Sequence, residues 1–243
     1  MSSVIISELP AMDATRFQQT PYYWYSSTPY KNSIRFSEEN VYLLCKTLCE
    51  SGVADETGSD LFVVFISNER KQARMFGLCF VPLWHQKAST RADGIVLWDY
   101  HVICVQRKKE SDSEPLVWDL DSTLPFPSPL ASYVTETIQP SFQLFAEYKR
   151  FFRVVHAPLF FKHFASDRRH MKGPDGSWIA QPPPYQPIVA QDGVLHNLSE
   201  YTAMSATDTL SSLDPETVRE AISQKLGVLV SHSQLQDLFT KLP

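Results

Sequence analysis

The sequence predicts an α+β domain, and three stretches carry that prediction. Residues 38–50 repeat apolar side chains at helical spacing, residues 61–66 form one continuous apolar run, and residues 95–106 and 116–121 flank a polar loop as hairpin strands do. A helix therefore opens the domain, a block of strands follows, and helices return towards the end, which is an α+β order.

Residues 1–28 show no clean period and end in Tyr22, Tyr23, Trp24 and Tyr25, so they read as a tail whose aromatic end docks on the domain. Residues 29–243 read as one domain. Val41, Leu44, Cys45 and Leu48 define the first helix, and Gly52 follows as its stop. Ser37 then stands at the N-cap, with Glu38 and Glu39 in the first turn, where carboxylates suit the helix dipole. The run Leu61–Ile66, rich in Val and Phe, predicts a buried strand, and Met75–Trp84 a weaker one. Ile95–Gln106 and Leu116–Asp121 follow as two further strands around the polar stretch Arg107–Pro115. Ser141–Arg150 predicts a helix and Phe152–Val155 a strand, and the prolines and glycine of residues 172–193 predict irregular loop. Asp214, Pro215 and Gly227 bracket a helix with cap, first-turn proline and terminal glycine in their favoured places.

Composition removes several function classes. A formal charge of −5 gives no long-range attraction to nucleic acid, and the basic stretch Arg168, Arg169, His170, Lys172 follows Asp167 as a locally paired or solvated turn. No apolar run approaches the ~20 residues of a membrane span, and MSSVIISELP lacks the charged start and long apolar stretch of a signal peptide. Cys45, Cys49, Cys79 and Cys104 show no zinc-like pairs and read as free thiols filling small apolar sites, in a cytoplasmic or nuclear setting. His163, Asp167 and His170 have a spacing that a metal could use on a helix, but nothing completes the set, so no metal is expected.

One juxtaposition carries chemistry. A hairpin loop centred on residue 110 would set His101 directly across from Asp119 on one sheet face. A carboxylate there can hold an imidazole in one tautomer and stabilise its protonated form, although a purely structural hydrogen bond has the same pattern. Trp98 and Tyr100 alternate away from His101 and read as core. Ser37 reads as a plain cap, yet a nucleophile at a helix start would gain from the dipole and from backbone N–H groups that can form an oxyanion hole.

The strings Ser37-Glu38-Glu39-Asn40-Val41-Tyr42, Val64-Phe65-Ile66-Ser67-Asn68-Glu69-Arg70-Lys71 and Trp98-Asp99-Tyr100-His101-Val102 resemble the protein N-terminal glutamine amidohydrolase family. So do Trp118-Asp119-Leu120-Asp121-Ser122-Thr123-Leu124-Pro125-Phe126-Pro127, Phe164-Ala165-Ser166-Asp167-Arg168-Arg169-His170-Met171-Lys172, the run Pro182-Pro183-Pro184-Tyr185, and Asn197-Leu198. The likeness spans residues 29–242 in order, with an apparent insertion at 72–79, a longer loop at 107–115 and extra residues at 205–217. It implies a papain/transglutaminase-like core, an α-β-α sandwich with a mainly antiparallel central sheet. It also implies a Cys, His, Asp triad that falls on Ser37, His101 and Asp119. The reaction would be deamidation of N-terminal glutamine in proteins to glutamate with release of ammonia, within the N-degron pathway. No cofactor is implied. The partners would be proteins or peptides with N-terminal Gln, met by a monomer, and Glu38, Asp99 and Asp167 are the candidate carboxylates for the substrate α-amine.

Serine at position 37 departs from that pattern, either by deliberate replacement or as a natural variant. An alcohol does not ionise near neutrality as a thiol can, so this chain is expected to bind substrate and turn it over slowly or not at all. Two other readings accompany the amidase: a non-catalytic module that binds protein N-termini, and a transglutaminase-like acyl transferase.

Overall fold

A computed structural model describes residues 36–69, 80–108, 113–142, 144–145, 148–173, 175–178 and 182–242. The expected tail at 1–28, residues 75–79 of the weaker strand and Cys79 lie outside the described residues. The chain opens with α1 (Ser37–Glu50), then β1 (Leu61–Ser67), β2 (Val81–Leu83), β3 (Val96–Trp98), β4 (His101–Gln106), β5 (Leu116–Trp118) and β6 (Ser128–Pro129). It continues with α2 (Leu130–Tyr133), which runs into a π-turn (Val134–Ile138), β7 (Phe151–His156), α3 (Ala157–His163), α4 (Leu198–Thr202), α5 (Pro215–Ile222), β8 (Val228–Ser231) and α6 (Leu235–Lys241).

Six strands form one sheet in the order β6-β5-β4-β1-β7-β8, and every pairing is antiparallel. β1 lies inside it, between β4 and β7, and this explains its unbroken apolar sequence. Phe62, Val64 and Ile66 join a cluster with Val218 and Ile222 of α5 and Leu235, Leu238 and Phe239 of α6. Leu61, Val63 and Phe65 join the opposite cluster with Val41, Leu44 and Leu48 of α1, Phe160 of α3 and Tyr201 of α4. Period-two alternation thus sends successive side chains into two cores, each roofed by helices. Full burial of each such side chain stabilises the fold by ~1.5–3 kcal/mol.

Three expected elements need correction. Ser37 is the first helical residue and not the cap: Phe36 holds the cap position, with no side-chain capping bond. The expected long strand Ile95–Gln106 is broken, because Asp99 Oδ1 accepts the Tyr100 N–H at 3.0 Å and turns the chain. β3 consequently pairs with β2 in a separate two-stranded sheet, and His101 begins β4 rather than lying mid-strand. Ser141–Arg150 holds no α-helix in its described residues, where Tyr148 N–H donates to the Phe145 carbonyl at 2.9 Å in a tight turn. Phe142 and Phe145 there are 54% and 77% exposed, so the apolar spacing marks no buried face. The helix stands earlier, at residues 130–138, and ends where Gln139 adopts φ 47° before Pro140.

α5 starts as expected, with the Asp214 side chain accepting from Thr217 N–H, but it stops at Ile222. Gly227 serves a different purpose. Its φ is +59°, and a Cβ there would lie 2.0 Å from the Val154 carbonyl oxygen of β7. Gly227→Ala is therefore expected to destabilise the protein by at least ~2 kcal/mol in denaturant unfolding, through the left-handed φ and a backbone clash.

Candidate active site

The β4–β5 register pairs Gln106 with Leu116, Val105 with Val117 and Cys104 with Trp118. The hairpin is therefore centred one residue later than expected, and continuing it would bring His101 against Asp121 instead of Asp119. This corrects the predicted direct pairing. The slip moves the partner by two residues, however, and two is the period of a strand, so Asp119 stays on the face of His101. β5 ends at Trp118, and the following turn lets Asp119 reach diagonally: His101 Nε2 lies 2.9 Å from Asp119 Oδ1, with both side chains 1% exposed.

Asp119 is held on both oxygens. Oδ1 also accepts the Asp121 N–H at 2.9 Å, while Oδ2 accepts the Tyr133 hydroxyl at 2.8 Å and the Gln86 amide at 3.5 Å. Burial pushes this carboxyl up, but the His101 charge, the His101 hydrogen bond and the Asp121 and Tyr133 donors outweigh it and hold Asp119 below the usual carboxylate range. Trp98 is core, as expected, yet it does not turn away from His101. The two rings stack with centroids 4.8 Å apart, because the break at Asp99 interrupts the alternation.

The start of α1 approaches the start of β4 through their neighbours: the Tyr100 hydroxyl donates to Glu38 Oε2 at 2.6 Å. Farther along, Val41, Leu44 and Cys45 share a core with Val102 and Cys104. Ser37 is 5% exposed at this helix start. Glu39 is clamped from another direction: Arg168 donates through Nε and Nη2 to its two oxygens, at 2.8 and 2.6 Å. The same guanidinium lies over the rings of Phe36 and Tyr185. Arg168, expected in a locally paired or solvated turn, is in fact buried and reaches across the fold, whereas Arg169 does pair locally with Asp167.

The three expected amine-binding carboxylates already hold partners within the fold. Glu38 and Asp99 both meet Tyr100, through its hydroxyl and its N–H. Burial, with these two charges next, pushes the Tyr100 phenol well up, so it is a neutral donor. Asp167 accepts from Arg169 with both oxygens and lies 3.8 Å from His196 Nδ1. His163 faces Asp192 at 3.6 Å, and the His170 side chain lies outside the described residues. Among the described residues, the one three-membered His/Cys/Asp/Glu group whose ligand-type atoms gather within 4.8 Å is His101, Asp119 and Asp121. Sequence reasoning missed Asp121, Gln86, Tyr133 and the Glu39–Arg168 pair. Only Asp121 left a signal, since it shares the parity of Asp119 within Trp118–Pro127.

An antiparallel α+β fold with a buried His–Asp pair beside a helix start is an arrangement suited to hydrolytic chemistry. Residues 32–239 match the N-terminal glutamine amidase family. The chain is 80% identical over 241 residues to a protein N-terminal glutamine amidohydrolase of Arabidopsis thaliana, covering 99% of this chain and 100% of that one. It is 48% identical to a protein of the same name from Oryza sativa subsp. indica, over 96% of this chain and 91% of that one, and 44% identical to one from Drosophila ananassae, over 70% and 77%. The chain belongs to the N-terminal glutamine amidase family.

Two outcomes follow from the site's charges. Arg168→Met is expected to cost ~3–5 kcal/mol in denaturant unfolding, because Glu39 is left buried without its counter-ion, and adding Glu39→Gln should restore part of the loss. The Asp119 carboxyl, lowered in the folded state, stabilises the fold above its unfolded value near ~3.9, and that contribution is lost as pH falls through the folded value. Acid titration of stability should therefore be shallower below about pH 4 in Asp119→Asn than in the unchanged chain.

Proposed function

We propose that this chain is built as an amidase for protein N-termini: it takes N-terminal glutamine and hydrolyses the side-chain amide to glutamate and ammonia, by Cys-His-Asp chemistry in which serine occupies the cysteine position. The observation that carries the reading is the 2.9 Å His101–Asp119 bond, buried beside the start of α1, in a chain of this family. In this reading residues 29–243 form one catalytic domain with a papain/transglutaminase-like core, and all three catalytic groups, Ser37, His101 and Asp119, come from a single copy. The thiols of Cys45, Cys49 and Cys104 are free, which fits cytoplasm or nucleus, where an N-degron enzyme would act.

The mechanism follows from the groups. With Asp119 ionised, Nε2 of His101 carries the proton in their shared bond, and Nδ1 is the nitrogen that exchanges protons with the nucleophile. A sulfur at position 37 attacks the amide carbon, and first-turn N–H groups of the 14-residue helix stabilise the oxyanion. His101 protonates the departing ammonia, and then draws a proton from the water that cleaves the thioester to give glutamate. Serine lacks an accessible anion at neutral pH, so the site as it stands holds substrate and turns it over slowly or not at all. For the substrate α-ammonium, Glu38 and Asp99 are the stronger candidates, since they gather negative charge around Tyr100. Asp167 is the weaker, because Arg169 occupies both its oxygens.

Ser37 favours a second reading, a module that binds N-termini without chemistry. Against it stands the buried His101–Asp119 pair, which simple binding does not require.

Ser37→Cys is expected to release ammonia from a peptide that begins with Gln, at least about 10²-fold faster than the unchanged chain. A peptide with its α-amine acetylated should be spared. A folded Ser37→Cys protein that leaves the Gln peptide intact, while both forms bind it, would replace the amidase by the binding module.

A further inference from the structure

Most of the order around the His101–Asp119 pair comes from side chains outside the expected triad. Gln86 Nε2 donates to the Trp84 carbonyl at 3.1 Å as well as to Asp119 Oδ2, and Gln86 Oε1 accepts the Trp98 indole N–H at 3.2 Å. Trp98 in turn stacks on His101. Four side chains thus close a ring, His101 to Asp119 to Gln86 to Trp98, and Tyr133 enters it at Asp119 Oδ2. All five residues are at most 3% exposed.

The backbone is arranged to present this ring. His85 precedes Gln86 with φ 54°, a left-handed conformation that a non-glycine residue keeps only where its surroundings over-determine it. Those surroundings are visible. Thr123 N–H donates to the His85 carbonyl at 2.7 Å, Gln86 N–H to Gly94 O at 3.0 Å and Lys87 N–H to Asp121 O at 2.8 Å, so residues 85–87 run along the turn that bears Asp119. Trp84 N–H donates to Thr137 O at 3.1 Å, which ties the same segment to the π-turn following Tyr133.

We propose that Tyr133, Gln86 and Trp98 are positioning residues for the His101–Asp119 pair: the two donors fix the plane of the Asp119 carboxylate, and the indole fixes the plane of the imidazole. They act through Asp119 and His101 and not on the reacting amide. The catalytic consequence rests on the amidase reading, whereas the positioning itself does not. A contribution to packing alone is the competing explanation, and Tyr201 separates the two. It is also fully buried, but its hydroxyl has no hydrogen-bond partner among the described residues, so burying a tyrosine in this fold does not by itself require one.

The test uses the full chain with ¹⁵N-labelled histidine. The His101 Nε2–H resonance is followed in the unchanged chain, in Tyr133→Phe and in Tyr201→Phe. Tyr133→Phe should shift or broaden it, and Tyr201→Phe should leave it in place although it too deletes a buried hydroxyl. In the Ser37→Cys form, Tyr133→Phe should lower kcat about tenfold, the size expected for one lost hydrogen bond to a charged group, with KM changed by less than about twofold. A His101 resonance untouched by Tyr133→Phe overturns the proposal whatever the activity. A resonance that moves while Ser37→Cys remains inert supports the positioning and removes only the amidase reading.

Discussion

The hydrogen bond between His101 and Asp119 is the constraint around which the rest of the site is organised. Both groups are buried, and a buried carboxylate is tolerated only when its oxygens are satisfied and a compensating charge is near. Asp119 meets that demand with donors from four places: the imidazole, the next turn's Asp121 N–H, the Tyr133 hydroxyl and the Gln86 amide. Each donor fixes a different segment, so satisfying one carboxylate gathers β4, the turn after β5, the end of α2 and residues 84–87 into one place.

A second buried charge fixes the other half of the site. Glu39 sits beside the helix start and is matched by Arg168, whose planar fork meets both carboxylate oxygens. Together with the Glu38–Tyr100 bond, this pins the first turn of α1 to β4 and to the segment around residue 168. Helix ends fray readily, and a first turn with no side-chain cap has particular need of such anchors. Glu38 and Glu39, neighbours in sequence, therefore anchor the helix start to two different parts of the fold.

The hairpin illustrates why a local inference can survive an error in register. The loop centre lies one residue beyond the symmetric position, which displaces the partner by two. Because strand faces repeat every two residues, the displacement turned a direct pair into a diagonal one and brought Asp121 onto the same face. An odd displacement would have sent the carboxylate to the opposite core.

What the sequence determined by itself is what short-range periodicity encodes: α1, the buried β1, the β4–β5 hairpin, β7, the Asp214 cap, and the pairing of His101 with Asp119. The motif strings also carried the family. The tertiary structure decided the rest. The break at Asp99 depends on a side chain bonding to the next residue's N–H, and at residues 141–150 the phenylalanine pattern marks no buried face, since Phe142 and Phe145 stay exposed. Gln86, Tyr133 and the Glu39–Arg168 pair join residues 33, 14 and 129 positions apart, and such contacts leave no periodic trace in a chain. They form because buried polar groups must find partners, and only the folded arrangement says which partners are within reach.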